Sequence, residues 1–131
     1  IGLAQLERAQ FILEKKKAIT AWYLEYLDRT DIRFQKLGLL STSSHWMVAV
    51  LAPSKLKRDG LRDHLKSNGV ETRLMFFPAH QMPAFFSEIS FPIAERLSGK
   101  GMYLPSYPDL TQEDVKLICD LIKNYLNSAR V

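Results

Sequence analysis

Apolar positions recur at helical spacing through the first 27 residues. Leu6, Ala9 and Leu13 are followed by Ile19, Trp22, Tyr23 and Tyr26, with a charged belt of Glu14, Lys15, Lys16 and Lys17 between them. With no proline and a single glycine near its start, the segment predicts one amphipathic helix of roughly seven turns. Residues 28–44 carry weaker signals: Ile32, Phe34 and Leu37 fit a short strand, followed by Gly38 and a Ser/Thr loop. Residues 45–51 (HWMVAVL) form an apolar run rich in strand formers and closed by Pro53, which predicts a buried strand.

Residues 57–68 predict a helix with Leu61 and Leu65 facing inward, stopped at Asn68-Gly69, where glycine accepts the left-handed conformation. A second strand is predicted over 70–77, and Pro78 and Pro83 bracket the loop after it, since neither can donate to a sheet ladder. Pro92 opens a short helix through Leu97, which Gly99 and Gly101 end. Met102, Tyr103 and Leu104 make a brief strand before the turn at 105–108. In the last helix Thr111 and Asp114 form a capping box, Leu110 is placed to staple onto Val115, and Val115, Ile118, Leu121, Ile122, Tyr125 and Leu126 form the apolar stripe. The order of elements predicts an α+β, two-layer fold: a small, mostly antiparallel sheet covered by helices.

Composition narrows this picture only slightly. The 131 residues suffice for a single domain over 1–131, and 47% hydrophobic with 24% charged residues is the balance of a globular protein. No apolar run reaches the ~20 residues that span a bilayer, and no basic region precedes an apolar core as in a signal peptide. The first residue is Ile1 rather than Met, so a processed, trimmed or cut-out chain is expected. One cysteine, Cys119, excludes an internal disulfide; a reducing cytoplasm is the expected location, and a disulfide-free secreted protein also fits. A net charge of +4 suits an anionic partner without distinguishing a nucleotide from nucleic acid. The basic clusters at Lys15–17 and at Lys55, Lys57 and Arg58 read as solvated helix faces, because no aromatic residues interleave with them as stacking platforms.

Candidate chemistry is sparse. His45, His64 and His80 are not at metal-ligand spacing, and Cys119 supplies no Cys-x-x-Cys, so no metal site is expected. His64 reads as a solvated surface residue and Cys119 as a small buried hydrophobe. Ser41–44 lacks a nucleophile elbow, and the six glycines are too dispersed for a phosphate loop. Two readings stay open for His80, which lies in an aromatic loop between prolines: a structural role or a binding role. Two also stay open for Arg73, set within an apolar strand: a buried bridge to a neighbouring acid, or an anchor for an anionic substrate. The pairs Phe76-Phe77 and Phe85-Phe86 could stack a ligand, though core packing accounts more simply for at least one ring of each.

Several stretches together carry a resemblance. The opening IGLAQLER resembles the start of the long helix in sugar-nucleotide aminotransferases of the DegT/StrS type. His45-Trp46-Met47, GVETR at 69–73, FPAHQMP at 77–83, FPIAE at 91–95 and GMYLPSYPDL at 101–110 are similar to the GDP-perosamine synthase branch of that family. The resemblance covers nearly the whole chain. It implies the C-terminal small domain of a fold-type I enzyme that uses pyridoxal phosphate (PLP) to move an amino group onto a 4-keto-6-deoxy sugar nucleotide. In the family the cofactor-bearing lysine and phosphate-binding loop precede this segment, and no lysine here matches that motif. The resemblance therefore implies no catalytic or cofactor-binding residue in this chain and no transamination by the chain alone. Arg73 and His80 match the family's strand and loop near the sugar nucleotide; Phe76 and Phe77 would wall that site, with Trp46 a further member. The alternative is a stand-alone, non-catalytic binding or oligomerisation module that keeps the fold. In either case the apolar first helix, with Trp22 and Tyr23 free to face another domain, predicts a homo-oligomer, most simply a dimer. No nucleic-acid or membrane partner is expected.

Overall fold

A computed structural model describes residues 2–128, leaving aside the side chains of residues 4 and 5. Ile1 of the opening motif lies outside the described residues. In chain order the elements are α1 (Gly2–Glu7), α2 (Ala9–Tyr26), β1 (Arg33–Phe34), β2 (Val48–Leu51), α3 (Lys55–Ser67), β3 (Arg73–Leu74), α4 (Pro92–Lys100), β4 (Gly101–Leu104) and α5 (Gln112–Ser128). Two 3-10 turns, Ala79–Gln81 and Pro83–Phe85, lie between β3 and α4.

The sheet runs β1-β2-β4-β3 with every pairing antiparallel. Alternation along the strands sends Val48, Val50, Met102 and Leu104 to one face. There they meet Ile19, Tyr23 and Leu27 of the first helical arm, Leu61 and Leu65 of α3, and Val115, Ile118, Ile122 and Leu126 of α5. The fold is the expected α+β arrangement, helices on a small antiparallel sheet. Cys119 is buried in the same core, and burial pushes its thiol up to about 12, as suits an inert small hydrophobe.

Local signals account for most of the boundaries. Ser54 caps α3 by accepting the Lys57 N–H at 3.1 Å. At the other end Gly69 N–H reaches Lys66 O and Val70 N–H reaches Leu65 O, with Gly69 at φ +78°, a closure that glycine alone enters without strain. The Thr111–Asp114 box is reciprocal: Thr111 N–H donates to Asp114 Oδ2 at 3.0 Å, and Asp114 N–H donates to Thr111 Oγ1 at 3.1 Å. Pro92 opens α4, which continues past Gly99 and passes directly into β4.

Five expectations are corrected. The long first helix breaks at Arg8 (φ −98°, ψ 0°); Leu3 and Leu6 ahead of it are exposed, so nothing described here holds that end to the core. The aromatic end of the arm faces inward rather than toward another domain. Tyr23 is fully buried and donates its hydroxyl to Pro105 O at 3.0 Å, and Trp22 packs on the same core. The strand expected over 70–77 is only Arg73–Leu74, because Val70 is spent closing α3 and β4 offers four residues to pair with. Arg58 is not on a solvated face: it is 5% exposed, its guanidinium donating to Asp59 at 2.6 Å and to the carbonyls of Ser98 and Gly101 at 3.2 Å. His64 is half-buried rather than solvated, its ring 5.6 Å from that of Tyr125 on α5.

Candidate functional site

The sheet face opposite the helices is largely uncovered. Register sets Tyr103 between Ala49 on β2 and Arg73 on β3. Ala49 keeps the floor low, and bulky rings rise beside it. The Phe76 ring lies 5.5 Å from Tyr103 at an interplanar angle of 59°, and Trp46 lies 6.4 Å from Phe76. The 59° tilt turns a ring edge toward a ring face in the first contact, whereas Trp46 and Phe76 are inclined by only 30°. Between these rings, Gln35, Leu51, Met75 and Leu97 is a trough of about 490 Å³. Trp46 and Phe76 remain 65% and 62% exposed, so the rings have ligand-sized surface to offer.

A wider cavity of about 770 Å³ adjoins it around the end of the sheet, with Trp46 and Tyr103 in both linings. Arg73, Ser106, Tyr107, Asp114 and Lys16 add its polar groups. Arg73 is exposed, without a carboxylate in ion-pair range among the described residues, which speaks against the buried bridge of the two readings left open. The two-residue edge strand leaves its side chain at the lip of the cavity. Lys16 Nζ donates to Trp46 O at 2.6 Å, tying α2 to the start of β2, and partial burial pushes its ammonium pKa down. Sequence reading placed Lys16 in a solvated belt. Its spacing of three and seven residues from buried Ile19 and Tyr23 is the signal that it shares the inward stripe.

His80 stands elsewhere. Its Nε2 lies 3.0 Å from Glu95 Oε1 and its side chain is only 11% exposed, which favours the structural reading of the two that were open. Glu95 also accepts the Phe91 N–H at 2.8 Å and the Ser90 hydroxyl at 3.1 Å. The Phe91 amide above all holds the Glu95 carboxyl below its ordinary range; Ser90 and His80 add to this and partial burial opposes it. Phe77, Phe85 and Phe86 are 63–70% exposed, so the expected core role of one ring in each pair is not seen. Of the five residues expected at a binding wall, Arg73, Phe76 and Trp46 come together; Phe77 and His80 line neither cavity.

These linings do not fit PLP, the cofactor expected from the resemblance. Lys16, the lysine in the larger lining, has its amine engaged by Trp46 O, and the nearby start of α5 presents the Asp114 carboxylate where a phosphate would need donors. Among the described residues no group of three His, Cys, Asp or Glu side chains could hold a metal ion, and no helix is long and apolar enough to cross a membrane.

Comparison with known proteins places this architecture. The family model described as the DegT/DnrJ/EryC1/StrS aminotransferase family matches residues 1–123. A GDP-perosamine synthase of Vibrio cholerae is 35% identical over 132 residues, covering 97% of this chain and 36% of its own length. The crystal structure of the aminotransferase TlmJ from Streptoalloteichus hindustanus superposes with a TM-score of 0.89 at 26% identity, over 98% of this chain and 35% of that one. Spr1654 of Streptococcus pneumoniae in its PLP-form shares the fold, with a TM-score of 0.87 at 21% identity over 97% of this chain and 34% of that one. The chain thus spans about a third of the length of the relatives it matches. It belongs to the DegT/DnrJ/EryC1/StrS aminotransferase family.

Proposed function

We propose that the chain is the C-terminal domain of a PLP-dependent aminotransferase acting on a 4-keto-6-deoxy sugar nucleotide, and that it supplies one wall of the sugar-nucleotide site while the cofactor chemistry lies in the remaining two thirds. The observation that carries this reading is the uncovered cluster of Trp46, Phe76 and Tyr103 with the unpaired Arg73 guanidinium at its margin. Aromatic faces suit the apolar faces of a sugar or a base, and a guanidinium suits a diphosphate through paired N–H donors. The engaged amine of Lys16 supports the same division of labour. PLP, bound in the intact enzyme, would supply the electron sink for amino transfer.

Titration of the chain with GDP and a GDP-linked deoxyhexose should give weak binding, with a dissociation constant of about a millimolar. Following Trp46 fluorescence against a Trp22→Phe background isolates the signal. Arg73→Ala should weaken it about tenfold through loss of a charge-assisted contact, and no binding of either probe would sink the wall reading. Incubation with PLP and borohydride should give only scattered, substoichiometric labelling of exposed lysines; a stoichiometric adduct at one lysine would refute the division of labour.

Self-association belongs to this proposal. Leu3, Leu6, Phe11 and Leu13 are 44–73% exposed on the first helical arm. Covering a few hundred Å² of such surface contributes several kcal/mol at roughly 25 cal/mol per Å². A dimer is expected by light scattering at micromolar concentration, and a clean monomer there would exclude it.

A further inference from the structure

Glu95 lies outside the aromatic wall, yet contacts from both ends of the 80–91 loop converge on one of its oxygens. Oε1 receives the Phe91 amide and Ser90 hydroxyl from the loop's end and meets His80 Nε2 at its beginning. The His80 ring rests on the Phe91 ring at 4.9 Å, and Ser87 N–H donates to His80 O at 3.0 Å. A carboxylate on the first turn of α4 therefore closes the loop like a clasp. On the upstream side, Met75 N–H donates to Gly101 O at 3.2 Å. Phe76 and Phe77 lie between these two anchors, followed by buried Pro78 and the 3-10 turn whose Gln81 N–H donates to Pro78 O at 3.0 Å.

We propose that Glu95 is a positioning residue: by holding His80 it fixes the far end of the 76–80 span and so sets where Phe76 and Phe77 stand. That this matters for a ligand rests on the wall reading above. The competing role is a plain helix cap, since the Phe91 N–H would otherwise be an orphan donor at the start of α4. A cap alone would stabilise α4 and leave residues 76–80 as they are. His80, outside the helix, is what separates the two.

The test is amide exchange on the chain itself, read separately for 75–90 and 93–100, in Glu95→Ala, Glu95→Gln, His80→Ala and the Glu95→Ala/His80→Ala double variant. Glu95→Ala should raise exchange over 75–90 about tenfold, the scale of one lost charge-assisted hydrogen bond. Glu95→Gln, which still accepts from Phe91 and Ser90, should restore α4 and only part of the loop. His80→Ala should add nothing once Glu95 is removed. Exchange that rises in α4 while 75–90 is unchanged would overturn the proposal, as would independent effects of the two substitutions.

Acid provides a second readout. A carboxyl held below its ordinary value of 4.5 contributes protection that is complete above that value and lost as pH falls through its lower folded value. His80, on the 3-10 turn, is the titratable group facing Glu95 within ion-pair range among the described residues. Protection of 75–90 should therefore fall below pH 4.5 in the native chain and stay flat in Glu95→Gln; the same acid response in both would overturn the clasp. GDP affinity separates this idea from the wall reading. A loop that loosens in Glu95→Ala while the native chain binds no nucleotide upholds the positioning and rejects the wall.

Discussion

Replacing Gly101 by alanine should lower the stability of the chain by about 3 kcal/mol, the upper range for a side chain forced into filled space. A Cβ at Gly101 would stand 2.5 Å from the Leu97 carbonyl and 2.6 Å from Met75 Sδ. Met75 is flexible and can yield. The Leu97 carbonyl cannot, because it is α4 backbone and accepts the Gly101 N–H that ends the helix. Residue 101 is where helix becomes strand without a linker, so any shift that relieves the clash pulls β4 out of register with β2. Urea denaturation followed by circular dichroism would measure the loss, and an unchanged midpoint would show that the junction has slack. The backbone here is extended rather than left-handed (φ −89°), so the penalty is one of space.

The second large effect centres on the same junction. Arg58→Ala should cost about 2–3 kcal/mol, from the lost hydrogen bonds of a guanidinium that is buried although its partner Asp59 is half exposed, and from the space its stem leaves. The guanidinium bridges three elements: it pairs with Asp59 on α3, takes the Ser98 carbonyl of α4 and takes the Gly101 carbonyl of β4. Removing it takes a donor from the partly buried Ser98 carbonyl and opens a cavity the length of an arginine stem. Gly101 O keeps the Met75 N–H, so the loss is concentrated where α3 meets α4. Arg58→Lys should recover less than half, because one ammonium cannot reach along the directions of a planar fork. Equal stability of the Lys variant and the native chain would show that charge, and not geometry, is what the site uses.

Local chemistry was the readable part of this chain. The Thr111–Asp114 box, Pro92 at the head of α4 and the Asn68-Gly69 stop each depend on residues within a few positions, and each is found as expected. The helix-on-sheet architecture followed from the apolar pattern for the same reason. What stayed hidden depends on partners far away in sequence. Arg58 looks solvated among Lys55 and Lys57 because the carbonyls that bury it lie 40 and 43 residues on. His80 invites a binding role until Glu95, 15 residues later, is seen to hold it. The strand around Arg73 looked long because Val70 has strand character, yet the closure of α3 takes it first. Within the candidate wall, Trp46, Phe76 and Arg73 were legible from the resemblance. Tyr103 and Lys16 were not, since alternation across a four-residue strand and a lysine on a buried stripe are faint signals.

Both outer strands of the sheet are two residues long, and each begins with an arginine, Arg33 on β1 and Arg73 on β3. Borders this short and this charged offer an incoming strand almost no ladder to extend, which is how natural sheets resist edge-to-edge growth. A chain with this much uncovered apolar surface would otherwise be at risk of amyloid-like stacking. Such edges direct the proposed self-association to side-chain faces, where contacts are finite and can be satisfied by one neighbour.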